Sequence, residues 1–66
     1  MKNAFKCVYV GIIKYTKGIT RESNMFESYL LAVQATKNEM IRERNSPTKS
    51  LGEPLYFVVE KRYIQE

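Results

Sequence analysis

The chain has 66 residues and a formal net charge of +4, from 11 Lys and Arg against 7 acidic residues, all of them Glu. It contains no His and no Asp, which excludes Ser-His-Asp triads and most arrangements for general acid–base catalysis. Cys7 is the only cysteine, so no intrachain disulfide can form, and without His a zinc site lacks ligands.

A chain of this size usually needs stabilisation beyond its own hydrophobic core. A chain this short buries only about 60% of the surface that its unfolded form exposes, and small folds usually need a staple or a partner subunit. With disulfides and metals excluded, we expect a homodimer and no cofactor. Hydrophobic residues make up 44% of the sequence and charged residues 27%, which is typical of a folded domain. We expect one α+β domain over residues 1–66.

The first 15 residues also bear on location. Lys6 and Lys14 enclose a short uncharged stretch that no small-residue cleavage site follows. No apolar run approaches the ~20 residues that span a bilayer. The sequence therefore favours a cytoplasmic protein with no membrane partner and a reduced Cys7.

Residues 4–15 predict the first strand, because β-branched and aromatic side chains dominate them. Alternation predicts two faces: Phe5, Cys7, Tyr9, Gly11 and Ile13 on one, and Lys6, Val8, Val10, Ile12 and Lys14 on the other. Both faces are apolar in the middle, which indicates a central strand. Gly11 marks a bulge or a close backbone approach. Residues 16–18 predict a turn, and residues 19–23 predict a short second strand that pairs back on the first.

Residues 24–45 allow two interpretations. As a helix capped by Asn24, they carry one stripe with spacings of three and four, formed by Phe26, Tyr29, Leu30, Val33, Lys37, Met40, Ile41 and Arg44. The helix ends before Pro47, and basic residues suit its last turn. In the alternative, residues 28–35 form a strand, and a capping box of Thr36 and Glu39 opens a short helix.

Residues 45–54 predict a loop, and residues 55–64 the closing strand. Residues 55–59 are apolar on both faces and are predicted to be core, whereas residues 60–66 resemble an exposed extension. The predicted fold is a small two- or three-stranded sheet with one helix packed on it, in the order β(β)αβ. One helix covers one face of a sheet, so we expect a second molecule to cover the other face, either a second copy stacked on it or a foreign protein.

Nucleic-acid binding is the alternative function. Basic residues neutralise phosphates and aromatic rings on strands stack bases. Clusters of such residues occur around the first turn, at the helix end and on the last strand. The segment YFVVEKRY resembles the aromatic strands of RNA-recognition modules but lacks their Gly–aromatic core.

Protein binding is the primary expectation. A module without catalytic groups and with five tyrosines suits protein interfaces, as in the small inhibitors and antitoxins of phages and mobile elements. The nine residues KCVYVGIIK are loosely similar to the first strand of small phage antitoxins that block a host RNase, a likeness of generic strand pattern only. We expect a non-enzymatic inhibitor or adaptor. Its candidate contact residues for protein or nucleic acid are Arg42, Arg44, Lys49, Tyr56, Lys61, Arg62 and Tyr63.

Overall fold

A computed structural model describes residues 4–48 and 51–65. These residues form three strands and one helix in the order β1 (Phe5–Tyr15), β2 (Thr20–Phe26), α1 (Tyr29–Asn45) and β3 (Pro54–Gln65). The sheet is antiparallel with the strand order β2-β1-β3. The predicted α+β class and the β(β)αβ order are therefore confirmed, with the second strand present.

The central strand β1 pairs with β3 along almost its whole length, from Phe5 opposite Gln65 to Lys14 opposite Tyr56. The β2 pairing is shorter and ends where Tyr9 lies opposite Phe26. In the described part of the chain, residues 5–8 of β1 consequently have a strand partner on the β3 side alone. The sheet thus continues as a two-stranded ribbon beyond the end of β2.

A bulge in β2 lies opposite Gly11. Val10 pairs with Met25 and Ile12 pairs with Glu22, so β2 uses one more residue than β1 over this interval. The Gly11 N–H donates to the Ser23 Oγ across the bulge at 2.8 Å. A side-chain oxygen thereby replaces the ladder carbonyl that the bulge displaces, which leaves this backbone donor satisfied.

Helix α1 packs on the face of the sheet that carries the odd-numbered residues of β1. Ser28 caps it, accepting a hydrogen bond from the Leu31 N–H at 3.4 Å. The buried helix residues are Ala32, Thr36 and Met40, spaced four apart along one line. At the end near the β1–β2 turn the core is formed by Ile13, Tyr15 and Met40, with Leu51 and Phe57 packed against it.

The close approach of α1 to β1 occurs at Gly11. A Cβ built on Gly11 would lie 1.7 Å from the Thr36 Oγ1 and 2.7 Å from the Thr36 Cβ. Only a residue without a side chain fits beneath Thr36 at this distance. The predicted close backbone approach at Gly11 is present, and the β2 bulge lies directly opposite it.

The predicted helix begins too early, because residues 24–26 belong to β2 and Asn24 does not cap the helix. Residues 29–35 are helical, which confirms the long-helix interpretation there and shows that the alternative strand is wrong. The predicted stripe contains Met40, which is buried, but Leu30 and Ile41 are exposed. The small residues Ala32 and Thr36 face the sheet instead, because the gap at Gly11 admits a close helix only along a line of small side chains. Within the described residues, no helix has the length and apolarity needed to cross a membrane.

Candidate functional site

The face of the sheet opposite α1, here called the open face, carries a charged network. The Arg62 guanidinium on β3 donates to both Glu22 carboxylate oxygens on β2, at 3.0 and 2.8 Å. It also donates to Glu60 at 2.6 Å. Because β1 lies between β2 and β3, the Arg62–Glu22 pair crosses β1 above Val10. Val8 and Val10 are only 3% and 1% exposed, so the chain covers this part of the face with its own ion pairs.

The same network changes the expectation that another molecule must cover the second face. Stacking two copies through their open faces would bury Glu22, Glu60 and Arg62 of both chains together with the Lys6–Glu27 ion pair. Removing that many charges from water is costly, which disfavours such stacking. The middle of the open face is therefore covered by ion-paired side chains of the same chain, and not by the second molecule that we expected from the sequence.

Two carboxylates of the open face have lowered pKa values. Hydrogen bonding to Arg62 lowers the pKa of Glu22 below its ordinary value, and hydrogen bonding to Lys6 lowers the pKa of Glu27. Both shifts favour the charged form at neutral pH. Both groups are exposed to solvent, so their contribution to stability is small and depends on salt.

An aromatic cluster lies on the helix side of the sheet, where the ribbon extends past the start of α1. We call it the distal patch and define it as Phe5, Tyr9, Tyr29, Lys61 and Tyr63. The Tyr9 and Tyr29 rings meet edge to face with centroids 5.8 Å apart, and the Lys61 Nζ lies 5.5 Å from the centre of the Tyr63 ring. Phe5 and Tyr63 are each 64% exposed, so two large rings stand in solvent.

The distal patch follows from strand register. Cys7 lies opposite Tyr63 and Tyr9 opposite Lys61, so the aromatic residues of β1 and β3 share one face. The helix begins at Tyr29 and leaves the end of the ribbon uncovered. Hydrogen bonding and charge from Tyr63 raise the pKa of Lys61, which keeps this amine protonated beside the rings.

A second apolar surface lies along the outer edge of the sheet. We define the β3 edge segment as residues 55–59, which carry no charge. Among the described residues no strand pairs with the outer side of β3. Leu55, Tyr56 and Val58 in this segment are about half exposed, so the prediction that residues 55–59 are core is wrong for these three. An uncharged strand edge is a template for pairing with another chain.

A groove of about 730 Å³ separates α1 from β2. Three ion pairs lie at this groove: Arg21 lies 3.6 Å from Glu39 and 3.3 Å from Glu43, and Arg42 lies 2.6 Å from Glu39. The two Arg21 pairs join β2 to the helix, whereas the Arg42–Glu39 pair lies within the helix. Beneath them, burial raises the pKa of the Tyr15 hydroxyl, an effect that the neighbouring Arg21 partly offsets. Among the described residues, no cluster of three or more acidic or cysteine side chains is placed to hold a metal ion.

The predicted contact residues do not form one site. Lys61 and Tyr63 lie together in the distal patch, whereas Tyr56 lies on the β3 edge segment, opposite Lys14. Arg62 is engaged in the open-face network and Arg42 in an ion pair with Glu39. Arg44 is an exposed residue of the last helical turn. Lys49 lies outside the described residues.

The register separates most of the basic residues from the exposed distal rings. Lys14 and Lys17 lie at the β1–β2 turn, and Arg42 and Arg44 lie in the last turn of α1, which packs towards the same end. From Cys7, opposite Tyr63, to Lys14 the strand rises roughly 23 Å. The interleaving of rings and cations that single-stranded nucleic acid requires is therefore limited to two separated pairs, Lys61 beside Tyr63 and Lys14 opposite Tyr56.

Sequence reasoning missed the contributions of Phe5, Tyr9 and Tyr29 to the distal patch. Alternation placed Phe5 and Tyr9 on one face correctly, but Tyr29 was assigned to the helix stripe that packs on the sheet. The signal was the mismatch in length between a long β1–β3 pair and a 17-residue helix.

A search of known protein families, curated proteins and solved structures finds no significant match to this chain.

Proposed function

We propose that this chain is a non-enzymatic protein-binding module of the inhibitor or adaptor type, with the distal patch as its contact surface. The observation that carries the proposal is the exposure of Phe5 and Tyr63 beside the Tyr9–Tyr29 pair. Clustered exposed rings on a folded chain mark a contact site, and Tyr is enriched among the residues that dominate interface energies. A cytoplasmic location is part of the proposal and suits the free thiol of Cys7.

Catalysis has little support in the arrangement of side chains. The sequence lacks His and Asp, and the ion pairs of the groove connect β2 to α1. Lys61 is the one basic residue of the distal patch, which favours a protein partner there over a nucleic acid that would need several phosphate contacts. A partner that presents an apolar side chain to the exposed Phe5 and Tyr63 rings, and an acidic group near Lys61, fits the patch by chemistry.

The proposal is tested by cross-linking in lysate of the cells that make the protein. A photoreactive phenylalanine analogue replaces Phe5 in one sample and the exposed Gln34 of α1 in a control sample. We expect the Phe5 probe to yield a cross-linked protein of defined mass and the Gln34 probe to yield none. Adding Tyr63→Ser to the Phe5 probe should remove that product, while circular dichroism stays unchanged because Tyr63 is exposed.

Three results would reject the proposal. Identical products from both probe positions would mean nonspecific contact. A product that survives Tyr63→Ser would show that the distal patch is not the contact surface. A product that nuclease treatment removes would indicate nucleic acid, the alternative function, whose binding also weakens steeply with salt.

A further inference from the structure

We infer that residues 5–8 of β1 bind an extended acidic strand of the partner protein, which pairs antiparallel with β1 in line with β2. This inference rests on the proposed function and deepens it, because it specifies the backbone conformation and side chains of the partner. We call the site the β1 edge and define it as the side of residues 5–8 that lies beyond the end of β2. Extended peptides add a strand at unpaired edges of this kind.

The backbone groups of the β1 edge point away from β3. Along a strand, the N–H and C=O of one residue point to the same side, and those of the next residue point to the other side. The Gly11 N–H donates to the Ser23 Oγ on β2, and the Tyr15 N–H donates to the Ile19 carbonyl at the start of β2. The odd-numbered residues of β1 therefore direct their backbone groups towards the β2 side.

Four backbone groups of the β1 edge have no partner in the described part of the chain. Both bulges lie in the outer strands, β2 and β3, so the alternation along β1 is unbroken. The N–H and C=O groups of Phe5 and Cys7 consequently face the same side as those of Gly11. Pairing with β2 ends where Tyr9 lies opposite Phe26, and none of the described loops bonds to these four groups. An antiparallel strand here would form two hydrogen bonds with each of the two residues.

The side chains beside the β1 edge specify what the added strand presents. Residues directly opposite each other share a face of the sheet, so partner residues opposite Phe5 and Cys7 lie on the helix side, with the distal patch. There the Phe5 ring is 64% exposed and the Tyr29 ring 57%, which favours apolar partner side chains. The partner residue between them lies on the open face beside the Lys6–Glu27 ion pair and suits a polar side chain.

Charge favours an acidic strand. The chain has a formal net charge of +4, and Lys61 is the cation of the distal patch. A carboxylate on the added strand can reach Lys61 across β1, just as Glu22 on β2 reaches Arg62 on β3 on the open face. Both paths span two strand spacings, roughly 10 Å. The partner segment is therefore an extended strand that alternates apolar and acidic residues.

A second copy of the chain fits the β1 edge less well. In a two-fold pair, residues equally far from the axis lie opposite each other. With Phe5 opposite Cys7, the two Lys6 side chains would face each other, and like charges in that position are destabilising. With Cys7 opposite Cys7, the second copy's Phe5 would take the place that Phe26 holds on β2. With Phe5 opposite Phe5, pairing among the described residues is limited to residues 4–6.

The helix leaves the β1 edge accessible. The molecule is long and thin, at 51 × 21 × 15 Å, and residues 5–8 lie at one end of the β1–β3 ribbon. Helix α1 begins at Tyr29 and runs towards the other end, where Met40 packs with Tyr15. A partner strand can therefore approach β1 without displacing the helix.

NMR of the amide groups of the whole chain, with a synthetic peptide as the probe, tests the inference. The peptide alternates valine and glutamate and has blocked termini. We expect the Phe5 and Cys7 amide signals to shift as the peptide is added, with half-saturation at about 1 mM or below. Hydrogen exchange of these two amides should slow at least about tenfold. The control is the Val59 amide, which faces the outer edge of β3 and should not change.

Two N-methylated peptides separate backbone pairing from side-chain contact. Methyl groups on the valines block the peptide edge that faces β1 when valines lie opposite Phe5 and Cys7, whereas methyl groups on the glutamates block the other edge. The side chains are the same in both peptides. We expect methylated valines to weaken binding at least about tenfold, and methylated glutamates to leave it unchanged.

Semisynthesis tests the same edge in the natural complex. Synthetic residues 1–6 that carry N-methyl-Phe5 are ligated to Cys7 of a recombinant segment in which a photoreactive phenylalanine analogue replaces Tyr29. The methyl group occupies the β1 edge without changing a side chain, and the Phe5 N–H has no partner to lose. We expect the cross-linked product in lysate to fall at least about tenfold relative to the same chain ligated without the methyl group.

Three results would overturn the inference: shifts confined to the outer edge of β3, equal binding of the two methylated peptides, or slowed exchange of the Phe5 and Cys7 amides when the chain is concentrated without peptide. The last result would assign the edge to a second copy.

Failure of the inference is separable from failure of the proposed function. If the Tyr29 product survives the methyl group while Tyr63→Ser still removes the Phe5 product, the partner docks on the rings without adding a strand. The inference then fails and the proposed function stands. If the Phe5 probe yields no product but the peptide binds as expected, the proposed function fails and the strand-binding edge stands.

Discussion

At the scale of single residues, the contact between Gly11 and Thr36 determines how close the helix lies to the sheet. The space for a Cβ at Gly11 is occupied by the Thr36 side chain. The Gly11 N–H is bonded to Ser23, so the same residue also fixes the position of β2. Gly11 thus fixes the positions of two elements next to β1, the helix α1 above it and the strand β2 beside it.

Gly11→Ala should therefore destabilise the protein strongly. The added methyl group would lie 1.7 Å from the Thr36 Oγ1, and overpacking of this kind costs about 1–3 kcal/mol. We expect a loss of about 2–3 kcal/mol in the free energy of unfolding, measured by urea denaturation. A domain of this length has only about 3–10 kcal/mol in total.

The control for this change is Gly18→Ala. Nothing lies within 4 Å of a Cβ at Gly18, but its φ of +82° disfavours a side chain, so a smaller loss of about 1 kcal/mol is expected. The double variant Gly11→Ala with Thr36→Ala removes two of the three close atoms and should recover part of the loss. Equal losses for Gly11→Ala and Gly18→Ala would refute the steric explanation.

At the scale of elements, the open-face network connects all three strands. Arg62 on β3 reaches Glu22 on β2 across the central strand, and the aliphatic stem of an arginine can cover apolar surface while its guanidinium stays hydrated. Val10 is buried as a result, although no second layer lies on this face in the described part of the chain. Hydrogen-bonded charges here take the place of a second helix.

The network predicts a dependence of stability on acid. Hydrogen bonding to Arg62 lowers the folded-state pKa of Glu22 below its ordinary value of 4.5. The stabilisation is therefore present above about pH 4.5 and is lost as the pH falls through the lower folded-state pKa. We expect the free energy of unfolding to fall less steeply between about pH 5 and about pH 3 in Glu22→Gln than in the wild type.

Chemical denaturation at several pH values measures this slope, and a second background provides the control. In Arg62→Gln chains the hydrogen bonds that lower the pKa of Glu22 are absent. Adding Glu22→Gln there should change the slope of unfolding free energy against pH much less. The same change in slope in both backgrounds would show that Arg62 is not responsible. High salt should reduce the effect, because the pair is exposed.

The strands were predictable from the sequence because alternation depends only on neighbouring residues. Side chains of β1 from Phe5 to Ile13, and of β3 from Phe57 to Lys61, lie on the faces that alternation predicts. The face of the helix was not predictable, because it depends on the gap at Gly11, which favours Ala32 and Thr36 over the larger Leu30. The distal patch was half predicted, through Lys61 and Tyr63, since its other rings meet only after β1, β3 and α1 are assembled.

At the scale of the whole molecule, the chain is long and thin, and its central pairing joins distant parts of the sequence. β1 and β3 form the largest interface in the fold, yet they are the first and last elements in the described order. Such non-local pairing slows folding, because the chain must close a long loop before these contacts form. Until then both strands expose apolar edges, which favours contact between chains.

A concentration-dependent melting temperature is the corresponding prediction. If the native chain dimerises and the unfolded chain does not, mass action stabilises the native state as concentration rises. We expect the melting temperature to rise by about 3 °C for each tenfold increase in concentration, measured by differential scanning calorimetry. A flat wild-type profile over the same range of concentration would contradict dimerisation.

The pairing of Phe5 with Gln65 has a practical consequence for engineering. Under the proposed function, a peptide fused directly to Phe5 or Gln65 starts two residues along the ribbon from the Cys7–Tyr63 pair, so an affinity tag at either position would compete with a partner at the distal patch. The β1–β2 turn at Gly18 lies at the other end of the sheet, where an inserted epitope avoids the aromatic rings. Joining Phe5 to Gln65 through a short linker and opening the backbone near Gly18 would give a circular permutant. Both ends of that chain would lie far from Tyr63.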